Sequence, residues 1–191
     1  MNLSELDIRI FFWVNQGHRN PFFDLVMPFI SEFNPGKYLL VILWLLLFIV
    51  GGKKFKITLV LLVVLVGVLD YSNSFFFKPL FGRPRPCNVL PGVHIFWPCP
   101  TTSFSFPSNH AVNMFGAAFF LSYIYRSWSY FLFPIAAIVG YSRIYVGEHY
   151  PFDVLGGIVL GAMGAGLFLW IYHLWLSSGK EQSKDLSKIG R

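Results

Sequence analysis

Long apolar runs separated by short polar links dominate the hydropathy pattern of this chain. Five of the runs are candidates for membrane-spanning helices, because a bilayer core accepts about 20 apolar residues in a helix. They cover residues 38–50, 57–77, 109–125, 128–146 and 152–176. One such run could be the buried core helix of a soluble protein, but five within 191 residues favour a polytopic membrane protein.

The N-terminal region has a weaker pattern. Residues 3–14 are predicted to form an amphipathic helix at the membrane interface. Residues 22–33 are short for a span and contain a proline and two acids, so they are only a candidate sixth span. The predicted fold is therefore all-α, a transmembrane helical bundle with five or six spans and an interfacial N-terminal helix. We expect an integral membrane domain over 1–178 and a polar cytoplasmic tail over 179–191.

Composition and charge support the membrane assignment. Only 13% of the residues are charged, whereas soluble domains carry about 25%. The formal net charge is +6, and the basic residues lie at the ends of the apolar runs. This placement favours anionic lipid headgroups, and not nucleic acid, as the partner. Several charged side chains interrupt the first 20 residues, so we expect an internal apolar segment, and not a cleaved signal peptide, to direct insertion.

The basic residues also predict an orientation. Alternating spans place the lysine-rich link 51–56, Arg126 and the tail 179–191 on one side of the membrane, which is the cytoplasmic side by the positive-inside rule. The loops 78–107 and 147–151 then lie on the outer side. We therefore expect a multi-pass protein of a bacterial inner membrane whose outer loops face the periplasm. The sequence makes no prediction of oligomeric state.

Three short polar motifs fall at these two outer loops. They are KPLFGRPRP at 78–86, PSNH at 107–110 and SRIYVGEHYPFD at 142–153. Together they supply cations, two histidines, a hydroxyl group and a carboxylate. Cations stabilise the charge of a phosphoryl group during its transfer, and a neutral imidazole can attack phosphorus. The motifs therefore predict a site that binds a phosphate and attacks it with a histidine.

These motifs resemble the three signatures of the type 2 phosphatidic acid phosphatase superfamily, K-x6-RP, PSGH and SR-x5-H-x3-D. The resemblance runs from Lys78 to Asp153 and departs at Asn109, where the family has glycine. It implies a membrane-embedded hydrolase of lipid phosphates, and no cofactor is predicted. Candidate substrates are lipid A 1-phosphate, undecaprenyl diphosphate and phosphatidylglycerophosphate. The alternative is a non-enzymatic transporter or lipid-binding subunit with a degenerate phosphate site.

The resemblance and the chemistry of the side chains together assign roles. His149 is the predicted nucleophile, and Asp153 is expected to hold its other ring nitrogen, as the acid of a catalytic triad does. The resemblance implies that His110 protonates the leaving oxygen and later activates water. The predicted phosphate-binding residues are Lys78, Arg85, Ser108, Asn109 and Arg143.

Local chemistry supports the phosphate-binding assignments. Arginine offers phosphate a planar fork of donors, and lysine offers a point charge. Ser108 and Asn109 open a predicted helix, whose free N-terminal amides can bind an anion. Asparagine tolerates left-handed backbone geometry better than most residues, so Asn109 can replace the glycine of the family. No cluster of cysteine and histidine has metal-ligand spacing, so no metal site is predicted.

Other residues carry open alternatives. Arg83 is either a secondary phosphate contact or a headgroup contact. Asp70, an acid within a span, has either a pairing role or a catalytic one. Glu148 either tunes the neighbouring histidine or is solvated. Cys87 and Cys99 lie in the predicted outer loop, where a disulfide would persist, but a pair of free thiols is the alternative.

Overall fold

The computed structural model describes residues 2–32 and 36–189, with the side chains of 36, 37, 40 and 175–189 outside that description. Regular secondary structure in the described residues is entirely helical, which agrees with the predicted all-α class. The main helices are α1 (Leu3–Asn15), α2 (Pro21–Ser31), α3 (Gly36–Val50), α4 (Lys53–Ser72), α5 (Lys78–Phe81), α6 (Pro86–Val89), α7 (Asn109–Ile124), α8 (Ser129–Tyr145) and α9 (Pro151–Ile189).

Each of the five apolar runs forms a helix. A π-helical turn, Asn73–Phe77, joins α4 to α5. Within the described residues, the segments Lys53–Val89 and Pro151–Leu174 are long and apolar enough to cross a bilayer. The helices α3, α7 and α8 have only 15 to 17 residues, so the five-span count stays a prediction. Many large apolar side chains of α3, α4 and α9 are exposed, as expected of surfaces that face lipid.

Close packing of α7 against α9 brings the second and third motifs together. A Cβ atom on Gly161 would lie 2.5 Å from the carbonyl oxygen of Val112, and one on Gly157 would lie 2.9 Å from that of Ser108. Only glycine permits this backbone approach. The Ser108 N–H also donates to the Asp153 carbonyl at 3.0 Å. The starts of α7 and α9 are therefore bound to each other.

The N-terminal helix is part of the packed structure. A capping box formed by Asn2 and Glu5 begins α1. The helix packs against α8 and α9 and buries Phe11 in the same apolar cluster as Tyr145 and Tyr150. The helix that was expected at the membrane interface therefore also supports the region of the third motif.

The long loop between α5 and α7 is held at two places. Cys87 and Cys99 form a disulfide, which confirms the predicted pairing. Asn15, the last residue of α1, donates to the His94 carbonyl at 2.8 Å and accepts from the His94 N–H at 2.9 Å. The loop that carries Arg85 is thus fixed to α1 as well as to itself.

Candidate active site

The first and third motifs meet in one buried cluster. Arg85 Nη1 lies 3.3 Å from His149 Nε2 and 2.7 Å from Glu148 Oε2. Arg143 Nη2 donates to the same Glu148 oxygen. These side chains are almost inaccessible: Arg85 is 7% exposed, Arg143 and Glu148 are 4% exposed, and His149 is 2% exposed. Arg85, a predicted phosphate-binding residue, therefore contacts the predicted nucleophile, and Arg143 shares Glu148 with it.

Further hydrogen bonds fix the orientation of both guanidinium groups. Arg85 donates through Nε to the Ser103 carbonyl at 3.2 Å and through Nη2 to Ser103 Oγ at 2.9 Å. Arg143 donates through Nη1 to the Ser31 carbonyl at 2.8 Å and also to Ser31 Oγ. Fixed donors lose little conformational freedom when an anion binds. Sequence reasoning missed both serines, because a lone serine outside a motif carries no distinguishing signal.

Glu148 is a buried anion at the centre of the cluster. Its Oε1 atom accepts from Trp97 Nε1 at 2.7 Å, so both carboxylate oxygens are bonded. Burial acts to raise the pKa of Glu148, but the charge of Arg143, the Trp97 hydrogen bond and the charge of Arg85 outweigh burial and hold the pKa below its usual value. The side chain is therefore ionised at neutral pH, and the solvated alternative is wrong.

His149 is held as a neutral imidazole. Burial and the positive charges of Arg85, Lys78 and Arg143 lower the pKa of His149 well below that of an ordinary histidine. Its Nδ1 atom lies 3.5 Å from Asp153 Oδ2, beyond the range of a strong hydrogen bond. The predicted pairing of these two side chains is therefore a contact between a residue just before α9 and a residue in the first turn of α9. A neutral ring has the lone pair that a nucleophile needs.

Asp153 is fully buried and bonded on both oxygens. Arg83 Nη1 donates to Oδ1 at 2.8 Å, and the Tyr150 N–H donates to Oδ2 at 2.8 Å. The other end of the Arg83 guanidinium donates to Asp7 Oδ2 at 2.6 Å, and its centre lies 3.8 Å from the centroid of the Tyr150 ring. Arg83 therefore joins two buried acids. Sequence reasoning missed Asp7, although an acid on the buried face of an amphipathic helix was an available signal.

Lys78 and His110 complete the inventory of charged and titratable motif residues. Lys78 is buried, and its Nζ atom donates to the Phe104 carbonyl at 2.6 Å. His110 lies in the first turn of α7 with an exposed side chain. It is close enough to Arg143 and Glu148 for their charges to act on it. Both residues therefore border the buried cluster.

Besides His149 Nδ1, which lies 3.5 Å from Asp153, two buried donors in the site lack a partner among the described residues. They are the Ser108 hydroxyl, on a residue with no exposed surface, and Arg143 Nε. Buried polar groups are nearly always hydrogen-bonded in proteins, and an unpaired one points to an absent partner. An anion that accepts from both groups would satisfy this requirement. A bound phosphate is such an anion.

The Asn109 side chain is directed toward α4. Its Nδ2 atom donates to Asp70 Oδ1 at 2.9 Å and to Ser74 Oγ at 2.7 Å, and its Oδ1 atom accepts from Asn73 at 2.7 Å. Asn113 donates to the same Asp70 oxygen at 2.8 Å. These contacts favour the pairing role for Asp70. The predicted phosphate contact of Asn109 therefore depends on its backbone N–H at the start of α7.

Comparisons with known proteins agree with these motifs. The model of the PAP2 superfamily matches residues 55–176. A lipid A 4'-phosphatase of Bacteroides thetaiotaomicron is 34% identical over 182 residues, which cover 90% of this chain and 79% of that protein. Undecaprenyl-diphosphatase BcrC of Bacillus subtilis is 30% identical over 151 residues, which cover 79% of this chain and 76% of that protein. The crystal structure of Aquifex aeolicus LpxE has a TM-score of 0.66 at 31% identity and covers 88% of this chain and 99% of that one.

Proposed function

Since this chain belongs to the PAP2 superfamily and is a membrane lipid phosphatase, we propose that it transfers a phosphoryl group from its lipid substrate to His149 and then to water. The observation that carries this proposal is the contact between Arg85 Nη1 and His149 Nε2 at 3.3 Å. It places a buried cation beside the nitrogen that would attack. The neutral state of the imidazole also supports the assignment.

The proposed reaction has two steps. In the first, the lone pair of His149 Nε2 forms a bond to phosphorus while the bond from phosphorus to the lipid oxygen breaks, and that oxygen takes a proton from His110. In the second, His110 takes a proton from water, the water oxygen attacks phosphorus, and inorganic phosphate leaves His149. General acid–base catalysis of this kind typically contributes about 10²- to 10⁴-fold. Asp153, adjacent to Nδ1, would orient the ring.

The phosphate would bind among the cations and the start of α7. Arg85, Arg143 and Lys78 would stabilise the charge of the equatorial oxygens during transfer. The unpaired Ser108 hydroxyl and Arg143 Nε would each donate to the phosphate. The backbone N–H of Asn109 would add the helix N-terminal contact. Protein side chains then supply the positive charge without a metal ion.

We place the site at the periplasmic face of a bacterial inner membrane. Lys54 Nζ lies 5.5 Å from the centroid of the Tyr125 ring, so the lysine-rich link 51–56 and the C-terminal end of α7 lie together. The motif residues are at the opposite, N-terminal end of α7. This separation supports a cytoplasmic basic end and an outer active site. A lipid phosphate could then enter sideways from the outer leaflet, and lipid A 1-phosphate, undecaprenyl diphosphate and phosphatidylglycerophosphate are the candidate substrates.

Phosphate release by the purified protein tests this function. Wild-type protein in detergent micelles with EDTA should release inorganic phosphate from at least one lipid phosphate in a panel of the candidate substrates and dioleoyl phosphatidate. His149→Ala should reduce the rate to about a thousandth or less, because no neighbouring group replaces the nucleophile. His173→Ala is the matched control, since His173 is exposed on α9 away from the site, and it should keep the wild-type rate. An inactive wild type, or a fully active His149→Ala, would contradict the proposal.

A further inference from the structure

We infer that Glu148 determines the charge preference of the site and makes this protein favour phosphate monoesters over diphosphate esters. The inference deepens the proposed function and depends on it. Among the relatives found, one is named for lipid A and another for undecaprenyl diphosphate, so substrate charge separates two candidate activities of this chain. Glu148 is a specificity-determining residue in this account, and it takes no part in bond breaking.

The backbone directs Glu148 into the site. Gly147 has a φ of +86°, a conformation that glycine adopts readily, and a Cβ atom there would lie 2.7 Å from Val93 Cγ1. After this turn, the N–H groups of Glu148 and His149 both donate to the Arg143 carbonyl at 3.2 Å. The carboxylate and the imidazole are therefore placed side by side by one rigid turn.

The contacts of Glu148 place its charge where it acts on a bound phosphate. Its Oε2 atom accepts from Arg85 Nη1, which is also the atom that lies beside His149 Nε2. A phosphoryl group that is in position for attack by His149 Nε2 would also lie next to Arg85 Nη1. The substrate and Glu148 would then share one guanidinium group. Glu148 and Arg85 are both buried, so water screens their charges only weakly.

A count of charges favours the monoester. Lys78, Arg85 and Arg143 carry three positive charges, and Glu148 carries one negative charge, which leaves two positive charges for the substrate. A phosphate monoester carries about −1.5 to −2 at neutral pH, and a diphosphate ester carries more. The neighbouring Asp7–Arg83–Asp153 group has a formal net charge of −1 and also disfavours the diphosphate, but it is the same in wild type and in a variant at position 148, so it does not change the comparison between them. The additional negative charge of the diphosphate ester would be repelled by the Glu148 carboxylate, and this repulsion disfavours binding of the diphosphate.

Glu148→Gln tests the inference, because glutamine keeps the size and removes the charge. We propose initial-rate measurements with farnesyl monophosphate and farnesyl diphosphate in mixed micelles. These two substrates have the same isoprenoid chain and differ only in the headgroup. The ratio of the two kcat/KM values, measured on one preparation, does not depend on the fraction of active protein. Wild type should favour the monophosphate, and Glu148→Gln should move the ratio toward the diphosphate by about tenfold or more, a change of about 1.4 kcal/mol.

Two further variants separate charge from position. Glu148→Asp keeps the charge and should keep the monophosphate preference. Trp97→Phe removes the hydrogen bond to Oε1 but leaves the carboxylate, so the ratio should change less than about threefold even if both rates fall. If Glu148 only positioned the arginines, Glu148→Gln and Trp97→Phe would lower both rates by similar factors and leave the ratio unchanged, which would overturn the inference.

One measurement requires no variant at Glu148. Wild-type protein that hydrolyses farnesyl diphosphate with a kcat/KM more than about tenfold above that for the monophosphate would also overturn the inference. The failure of the proposed function gives a different result, because the wild type would then release phosphate from neither lipid. The two failures are therefore distinguishable in one assay.

Discussion

The Asp7 carboxylate on α1 accepts a hydrogen bond from the Arg83 guanidinium at 2.6 Å. The second Asp7 oxygen accepts from the Phe152 N–H at 2.9 Å, and Arg83 continues to Asp153. Asp7 lies before residues 55–176, the region that matches the family. A helix outside the matched region thus fixes the acid that neighbours His149, through hydrogen bonds at both ends of one guanidinium group.

Asp7→Asn should lower kcat by about 10- to 100-fold, since small displacements of catalytic groups have effects of this size. The variant keeps the shape of the side chain but turns an amide toward Arg83, which would shift Arg83 and Asp153 together. Steady-state kinetics in micelles measures the change. Glu5→Gln on the same helix is the control, because Glu5 is exposed and its side chain bonds to the N-terminal cap, Asn2. Equal kcat in Asp7→Asn and Glu5→Gln would show that α1 does not position the acid.

The depressed pKa of His149 predicts a pH-dependent component of stability. Burial and the charges of Arg85, Lys78 and Arg143 lower the pKa of His149 in the folded protein, whereas the unfolded chain binds the proton near pH 6.5, roughly the free histidine value. The unfolded state therefore gains protons first as the pH falls, and folding stability decreases below about pH 6.5.

His149→Gln isolates this component, because glutamine does not titrate. The free energy of unfolding of wild type, relative to that of the variant, should fall by about 1.4 kcal/mol as the pH is lowered from about 7.5 to about 5.5. Thermal unfolding in detergent at a series of pH values measures the difference. If the stability of wild type relative to the variant is constant over this range, the pKa of His149 is the same in the folded and unfolded states; if it rises in acid, folding raises this pKa. Either result would contradict the prediction.

Asn109→Gly should retain kcat within about 100-fold, or about 2.7 kcal/mol of transition-state stabilisation. It restores the residue of the family and leaves the backbone N–H in place. The variant should nevertheless be less stable by about 1–3 kcal/mol, because Asp70 and Asn73 each lose a partner. Asn113→Ala, which removes one hydrogen bond to Asp70, is the control for loss of stability alone. A kcat loss above 100-fold without loss of stability would show that the Asn109 side chain contacts the phosphate.

The disulfide between Cys87 and Cys99 should stabilise the loop that carries Arg85. Replacing both cysteines by serine should lower stability by about 3 kcal/mol or less, as closure of a loop of this length implies, and should raise KM through the adjacent Arg85. Alkylation without reductant followed by mass spectrometry checks the bond directly. Two alkylated cysteines in protein purified under oxidising conditions would contradict the disulfide.

The elements that could be predicted from sequence are those with strong local signals. The long apolar runs form helices in the structure, because a helix pairs its backbone N–H and C=O groups internally and leaves the apolar side chains to face lipid or the core. Pro151 begins α9, so His149 lies just before the helix and Asp153 lies in its first turn, as the position of the proline predicts. Membrane crossing by α3, α7 and α8 stays a prediction, because these helices have only 15 to 17 residues and a span needs about 20.

The residues that support the site could not be predicted in the same way. Ser31 and Ser103 bind the two arginines, but their positions depend on how α2 and the long loop pack. The place of Glu148 depends on the left-handed turn at Gly147. Asn109 was expected to contact phosphate because it opens a predicted helix, and the packing of α7 on α4 places its side chain against Asp70. Long-range contacts of this kind leave no periodic pattern in the sequence.

The most direct test of the account is the covalent state of His149 during turnover. Wild-type protein mixed with lipid phosphate labelled in its phosphoryl group and quenched in alkali within milliseconds should carry label, because phosphohistidine survives base, and peptide mapping should place that label on His149. His110→Ala should gain and lose this label more slowly than wild type, because His110 acts as the acid when the intermediate forms and as the base when water hydrolyses it. Label on another residue, or wild-type turnover without any labelled protein at the shortest times, would contradict nucleophilic attack by His149.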